Sequence, residues 1–132
     1  MADKTVAQKL QIKPGTTVWL SDTSKRDLVE PLPDGVRRVG KLESATAAIL
    51  FAEDRASLRM LLAKTGERLR APELLWVAYP KGNRADINRD SVWPMLAELE
   101  LRPISQVSLD DVWSALRFRP NKPGEQTFTG GC

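Results

Sequence analysis

The sequence contains no histidine and one cysteine, Cys132, its last residue. The sequence therefore lacks the commonest general base at neutral pH and the commonest metal ligand. One cysteine can form neither an internal disulfide framework nor a thiolate metal cluster. We therefore predict no metal site, no bound cofactor and no catalytic residue.

Long apolar runs are also absent. The first ten residues, MADKTVAQKL, contain no apolar signal core, and nothing later in the chain reaches 18 continuous apolar residues. A membrane span needs about that length. We predict a cytoplasmic protein without a membrane partner.

Charge of one sign is not in large excess either. The 20 basic and 17 acidic residues leave a net charge of +3 at pH 7, which is too weak a bias to favour nucleic acid as a partner. With 132 residues, 42% of them hydrophobic, the chain is long enough for one domain with a real core. We predict a single α/β domain over residues 1–119 and a flexible tail, rich in Pro and Gly, over residues 120–132.

Apolar runs and turn signals alternate along the domain. The runs predict strands at residues 17–21, 36–39, 46–52, 74–79, 104–109 and 113–118. Two of them, TAAILFA and LLWVAY, are apolar on both faces, as in the central strands of a parallel sheet that is covered on both sides. The last two read as an antiparallel hairpin.

Helical patterns fill the gaps between these strands. We predict a short helix at residues 3–10, a helical turn at 23–31, a helix that Asp54 caps and that ends before Pro72, and a helix over 89–101. Pro94 is tolerated only near a first turn, so Asp90 or Ser91 is the expected cap of the last helix. Arg37 and Arg38 fall on a short strand, where charge would protect a sheet edge.

Three motifs carry a resemblance to known families. Ile-Lys-Pro-Gly at 12–15, Leu-Trp-Val-Ala-Tyr-Pro-Lys at 75–81 and Trp-Ser-Ala-Leu-Arg-Phe at 113–118 resemble a family of small bacterial proteins that is defined only as a domain of unknown function. The same order of elements resembles a class I methyltransferase fold that has been shortened between residues 22 and 45. The resemblance implies a three-layer, mainly parallel Rossmann-like sheet of order 2-1-3-4-6-5, with the last strand antiparallel and helices on its two faces.

Two departures weaken the functional part of that resemblance. Methyltransferases hold S-adenosylmethionine with a glycine-rich turn after the first strand, because the backbone must approach the cofactor closely. Here that turn reads Ser-Asp-Thr-Ser-Lys, and the next glycine is Gly35. The acidic residue expected after the second strand is also missing, since Val39 is followed by Gly40 and Lys41. We predict no S-adenosylmethionine-dependent catalysis.

The carboxyl ends of parallel strands deliver polar residues to one edge, which is where ligands bind in open α/β sheets. The candidate ligand-binding residues at this edge are Ser21, Asp22, Asp54, Lys81, Asn83, Arg84 and Trp113. Each also has an ordinary structural explanation. Asp54 suits a helix cap, Asp22 a turn, Lys81, Asn83 and Arg84 a solvated loop, and Trp113 a packed strand.

The sequence leaves three functions open. We predict a non-catalytic binding or regulatory module with a degenerate cofactor site, which binds a small polar ligand at the carboxyl edge. One alternative is an enzyme acting on a small polar or nucleotide-like ligand, with Asp22 and Lys81 as its charged groups. The other is a protein-interaction domain that works as a homodimer, in which a second copy covers the shortened part of the sheet.

Overall fold

The computed structural model describes residues 5–82, 86–122 and Gly124, without the side chain of Glu67. Its six strands form one sheet in the order β2-β1-β3-β4-β6-β5. The strands are β1 (Thr17–Leu20), β2 (Arg37–Arg38), β3 (Ala47–Phe51), β4 (Leu74–Pro80), β5 (Leu101–Ser108) and β6 (Trp113–Pro120). The helices are α1 (Val6–Lys9), α2 (Arg55–Thr65) and α3 (Arg89–Ala97), and short 3₁₀ helices cover Thr23–Leu28, Leu42–Ser44 and Gly66–Arg70.

Strand directions follow the predicted pattern. β1 pairs in parallel with both β2 and β3, and β3 pairs in parallel with β4. β6 is antiparallel to both β4 and β5, so the sheet ends in the hairpin. The predicted fold class, strand order and single antiparallel strand are confirmed.

The two apolar runs form the centre of the sheet. All five residues of β3 are buried, and β4 is buried from Leu75 to Pro80. Alternate residues serve opposite faces, so that Ala48 and Leu50 join one core cluster while Ala47 and Ile49 join the other. A strand that is covered on both faces has no exposed side on which polar residues could alternate with apolar ones. The two runs are therefore apolar without interruption.

A layer of helices covers each face. On one face α2 contributes Leu58 and α3 contributes Val92 and Leu96 to the core. On the other face α1 contributes Ala7, and Val29 follows from the segment after the first 3₁₀ helix. This second layer is the thinner one, since α1 has four residues while α2 has 11. No helix in the described part of the chain is both long and apolar enough to cross a membrane.

The chain between β1 and β3 is reduced. In residues 22–45, all of which are described, the structure has two 3₁₀ helices and the two-residue β2. β2 lies at the sheet edge, as predicted for Arg37 and Arg38, and both side chains are exposed. The shortening that the sequence indicated is therefore a feature of the fold.

Two predictions about α3 are wrong. Its cap is Asn88, whose side chain accepts a 3.0 Å hydrogen bond from the backbone N–H of Ser91, so neither Asp90 nor Ser91 is the cap. Pro94 lies inside the helix, on an exposed position where the carbonyl left without a helical donor can face water. The helix ends at Ala97, and the chain reverses through Glu100 at φ 62° into β5.

The predicted boundary at residue 119 stays a prediction, and most of the predicted tail lies outside the described residues.

Candidate functional site

The carboxyl edge of the sheet collects the residues that follow β1, β3 and β4. Ser21 and Asp22 follow β1, Glu53 and Asp54 follow β3, and Lys81 follows β4. Because β6 runs antiparallel to β4, Trp113 at the start of β6 lies opposite Pro80 at the same edge. The parallel pairing is what brings these separate sequence positions to one side of the molecule.

Ser21 fastens β1 to β3. Its backbone N–H donates to the carbonyl of Ile49 at 3.0 Å, and its Oγ accepts a 2.8 Å hydrogen bond from the N–H of Phe51. The hydroxyl thus continues the sheet beyond the last paired residue of β1. The Ser21 hydroxyl accepts a hydrogen bond from the backbone and does not face a general base. This arrangement fits a structural role for Ser21 and does not fit a nucleophile.

Asp22 caps the 3₁₀ helix Thr23–Leu28. One carboxylate oxygen accepts hydrogen bonds from the N–H of Ser24 at 3.0 Å and from its Oγ at 2.6 Å. The hydroxyl of Ser24 is the main reason that the pKa of Asp22 lies below its ordinary 3.8, with further contributions from the Ser24 N–H and the charge of Lys25. Asp22 is a carboxylate at neutral pH.

Asp54 is the N-cap of α2, as predicted. Its carboxylate accepts a 2.7 Å hydrogen bond from the N–H of Ser57, and the Oγ of Ser57 accepts one from the N–H of Asp54 at 3.1 Å. A second carboxylate reaches the same helix start, because Asp86 accepts a 2.9 Å hydrogen bond from the N–H of Arg55. The helix start uses Asp54 as a structural group.

Lys81 is held at the opposite end of the edge. Its Nζ donates to the Oγ of Ser108 at 2.6 Å, and its N–H donates to the carbonyl of Val112 at 2.8 Å. Asn83 and Arg84, also predicted for this site, lie outside the described residues. In the described part of the chain, Asp22, Asp54 and Lys81 make no hydrogen bond or ion pair with one another, so each is engaged locally.

Lys25 is the connection that the sequence did not reveal. Its Nζ lies 3.3 Å from a carboxylate oxygen of Glu53 and 5.5 Å from the centroid of the Trp113 ring. Trp113 in turn packs edge-on against Phe51, with ring centroids 6.0 Å apart. We call Lys25, Glu53 and Trp113 the Lys25 clamp. It joins the loop after β1 to the end of β3 and the start of β6, and no spacing rule in the sequence predicts it.

A groove beside the clamp has a volume of about 680 Å³. We call it the β1 groove. It runs between the end of β1 and one side of α2, and its walls are Ser21, Asp22, Phe51, Glu53, Ser57, Met60, Leu61, Ala63 and Lys64. The apolar walls come from Phe51 and α2, and the charged residues in the walls are Asp22, Glu53 and Lys64. Met60 is 74% exposed within it.

A second groove of about 480 Å³ adjoins the first. We call it the β2 groove. It lies between the ends of β1 and β2 and the end of α2, and Ser21, Leu61 and Lys64 belong to the walls of both grooves. Its remaining walls are Trp19, Leu20, Thr23, Val39, Gly40, Lys41, Leu42, Glu43, Thr65 and Arg68.

The residues at the carboxyl edge do not fit the S-adenosylmethionine site of methyltransferases. The turn after β1 is a 3₁₀ helix that carries side chains throughout, and Lys25 from this turn reaches across to Glu53. A close approach of backbone to cofactor would need glycine in this turn. After β2 the groove wall carries Lys41 where an acidic residue would bind ribose hydroxyls.

Comparison with known proteins gives matches among solved structures. No protein-family model matches the chain, and no curated protein matches it. A protein of the NADB-Rossmann superfamily from Streptococcus agalactiae has TM-score 0.56 at 12% identity, with 98% of this chain and 72% of that chain covered. An uncharacterized protein from Listeria monocytogenes has TM-score 0.58 at 11% identity, with 98% and 72% covered. The M1A22 tRNA methyltransferase TrmK of B. subtilis has TM-score 0.52 at 14% identity, with 88% and 65% covered.

These likenesses establish the fold. The chain has a Rossmann-like, methyltransferase-like α/β fold, and it spans about two thirds to three quarters of the length of these neighbours. The described residues form one sheet of order β2-β1-β3-β4-β6-β5 that ends in the hairpin, and the chain between β1 and β3 contains only short elements. At identities of 11–14% the comparison speaks to architecture alone.

Proposed function

We propose that the protein is a non-catalytic binding or regulatory module of the bacterial cytoplasm. Its methyltransferase-like sheet positions a groove for a small organic ligand, and its cofactor site is degenerate. The ligand has an apolar body and carries hydroxyl or amino groups. The β1 groove is its binding site.

The observation that carries this proposal is the Lys25 clamp. Lys25 bridges Glu53 at 3.3 Å and the ring of Trp113 at 5.5 Å. The side chain therefore crosses the carboxyl edge where a methyltransferase keeps open backbone for its cofactor. A cofactor in that position would have to displace an ion pair and a cation–π contact, and no glycine is present to let the backbone compensate.

The β1 groove supports binding of a different ligand. Its volume of about 680 Å³ falls in the range of small-molecule sites. Phe51, Met60 and Leu61 supply an apolar wall, which favours a flat or aliphatic body. Asp22 and Glu53 also border the groove, and carboxylates accept hydrogen bonds from hydroxyl and amino groups.

The rival function is enzymatic, and the tRNA methyltransferase TrmK is an enzyme that shares this fold. Under that alternative a nucleotide-like substrate would lie at the carboxyl edge, with Asp22 and Lys81 as the charged groups. Lys81 is committed to Ser108 at 2.6 Å and Asp22 to Ser24, which argues against either acting as a free base. We therefore rank the enzyme second.

A thermal-shift screen tests the binding proposal. S-adenosylmethionine, S-adenosylhomocysteine, adenosine, nucleotides and sugar phosphates are titrated against the wild type. A compound at a hundred times its Kd stabilises the native state by about 2.7 kcal/mol. We expect a shift with at least one nucleoside-like compound and none with S-adenosylmethionine.

Two tryptophan variants locate the site. Met60→Trp narrows the β1 groove, whereas Ile104→Trp adds the same bulk at another exposed apolar position, on β5. The proposal requires the shift to disappear in Met60→Trp and to persist in Ile104→Trp. A shift that survives in both variants, or no shift with any compound, would refute the β1 groove as a binding site.

An activity assay separates the module from the enzyme. The protein is incubated with S-adenosylmethionine and bulk tRNA, and formation of S-adenosylhomocysteine is followed against a sample without protein. We expect no formation above that background. Turnover that is lost in Asp22→Asn or Lys81→Ala would replace the module by the enzyme.

The homodimer stays a separate prediction. The thinner helical layer on the α1 face is where a second copy would pack. Light scattering in the presence of reductant measures the mass in solution, and the reductant prevents linkage through Cys132. A mass of one chain at every concentration would contradict the dimer.

A further inference from the structure

The β2 groove differs from the β1 groove in the sign of its charge. Lys41 precedes the 3₁₀ helix that follows β2, while Lys64 and Arg68 come from the end of α2 and the segment behind it. Glu43 is the carboxylate among its walls. Three cations from three segments of the chain therefore border one cavity of about 480 Å³.

The three cations are not equivalent. Arg68 is fixed, because its guanidinium donates to the carbonyl of Lys64 at 2.8 Å and lies 3.2 Å from a carboxylate oxygen of Glu43. This ion pair neutralises the charge of Glu43. Lys41 and Lys64 form no ion pair or side-chain hydrogen bond with the described residues, and their positive charge is available to a ligand.

Each lysine alone has an ordinary explanation, since both are exposed to solvent. A cation in the last turn of α2 is favoured by the helix dipole, so Lys64 needs no ligand to account for it. Lys41 belongs to a different element and borders the same groove. Their convergence leaves an uncompensated positive end, which favours an anion in this groove.

Trp19 gives the β2 groove an aromatic wall. It lies on β1, is half-buried against the core cluster of α2 and α3, and borders the cavity with its accessible part. An indole can pack against a planar ring, such as a nucleobase. The groove thus offers an aromatic surface and two unneutralised lysines together.

The two grooves form one trough, since Ser21, Leu61 and Lys64 border both. Asp22 and Glu53 border only the β1 groove, Lys41 borders only the β2 groove, and Lys64 borders both. Lys25 pairs with Glu53, so Asp22 is the carboxylate left for a ligand. A ligand lying along the trough would place an anionic group near Lys41 and Lys64 and hydroxyl groups near Asp22. Nucleoside monophosphates and similar phosphate esters have that distribution of groups.

We propose that the trough binds a nucleoside monophosphate or a similarly built phosphate ester, with its phosphate between Lys41 and Lys64. The proposal rests on the β1 groove being a binding site and adds the chemical class of its ligand. The phosphate accepts charge-assisted hydrogen bonds from both ammonium groups. The base or another planar group packs on Trp19, and hydroxyl groups face Asp22.

The test compares adenosine 5′-monophosphate with adenosine by isothermal titration calorimetry. The two probes differ by the phosphate alone. We expect the monophosphate to bind about tenfold or more tightly than adenosine, and rising ionic strength to reduce this advantage.

Two double variants with equal loss of charge complete the test. In Lys41→Ala/Lys64→Ala we expect the affinity for the monophosphate to fall to the affinity of the same variant for adenosine. Lys13→Ala/Arg37→Ala removes two exposed charges outside both grooves and should leave both affinities unchanged. Circular dichroism verifies that each variant is folded.

The failures of the two proposals are distinguishable. Equal affinity for the two probes, with adenosine binding lost in Met60→Trp, would overturn the phosphate site and leave the β1 groove standing. A preference for the monophosphate that survives in Lys41→Ala/Lys64→Ala would also overturn it. Failure of both probes to bind would overturn the proposed ligand class, and a thermal shift with another compound that disappears in Met60→Trp would still leave the β1 groove standing.

Discussion

The indole Nε1 of Trp76 donates a 3.1 Å hydrogen bond to the backbone carbonyl of Leu10. Both residues are fully buried, so this bond fixes the end of α1 to the middle of β4. A tryptophan at the centre of an apolar strand thus satisfies a carbonyl that the short helix leaves without a partner.

Replacing Trp76 with phenylalanine should therefore destabilise the protein. The Leu10 carbonyl would lose its donor, and a small void would remain, which together cost about 2–4 kcal/mol. Urea denaturation measures the change in free energy of unfolding. Met60→Ala, at a 74% exposed position, is the control and should stay within about 0.5 kcal/mol. An equally small effect of Trp76→Phe would show that the bond contributes nothing.

Asp54 should behave as a cap rather than as a ligand group. Asp54→Ala removes the acceptor for the Ser57 N–H and should cost about 1 kcal/mol in the free energy of unfolding. Asparagine is an equally good N-cap, so Asp54→Asn should restore most of that loss. If asparagine were as harmful as alanine in the same denaturation experiment, the charge of Asp54 would have a role that the cap does not explain.

Tyr79 provides a clean titration because it is the one tyrosine in the sequence. Burial raises the pKa of its phenol above the ordinary 10.0, although a hydrogen bond with Ser114 opposes the shift. A raised folded-state pKa means that stability is complete below about pH 10 and falls as the pH rises through the folded-state value. Near-ultraviolet absorbance of tyrosinate should show a midpoint above 10, and urea denaturation should weaken over the same range. A midpoint at or below 10 would contradict the burial effect.

The ion pair of the Lys25 clamp should contribute little to stability. The side chain of Lys25 is 26% exposed and that of Glu53 is 64% exposed, so solvent screens the pair. A double-mutant cycle with Lys25→Gln and Glu53→Gln should give a coupling of about 0.2–1 kcal/mol that falls with added salt. The Arg70–Glu100 pair, at 3.8 Å, is a matched control and should couple more weakly. A larger coupling in the control would contradict the clamp as a specific contact.

Much of the fold was predictable because burial leaves a direct mark on the sequence. The runs over 46–52 and 74–79 are apolar on both faces, and the structure places them at the centre of the sheet. The cap Asp54 was predictable for a similar reason, since a carboxylate directly before a helical apolar pattern has a local function. The apolar runs and the cap can be read from the sequence because each depends only on residues that are close together along the chain.

The site was harder to predict because its contacts join distant positions. Lys25 meets Glu53 and Trp113 only after three elements have assembled, and nothing around Lys25 in the sequence indicates these partners. The error at α3 has a different origin. The rule that proline belongs to the first turn assumes that a carbonyl without its donor is costly, but the exposed position of Pro94 lets water replace that donor.

The attachment of α1 has a consequence for the order in which the chain folds. Its contacts span the longest sequence separations among the described hydrogen bonds, with Leu10 66 residues from Trp76, Lys9 99 from Ser108 and Gln11 106 from Arg117. Strands paired in the sheet are much closer in sequence, and closing a long loop costs more entropy than closing a short one. We expect α1 to dock after the transition state, so that Trp76→Phe accelerates unfolding and leaves the refolding rate nearly unchanged. The segment that contains α1 would then bind to a sheet that has already formed and would slow its unfolding.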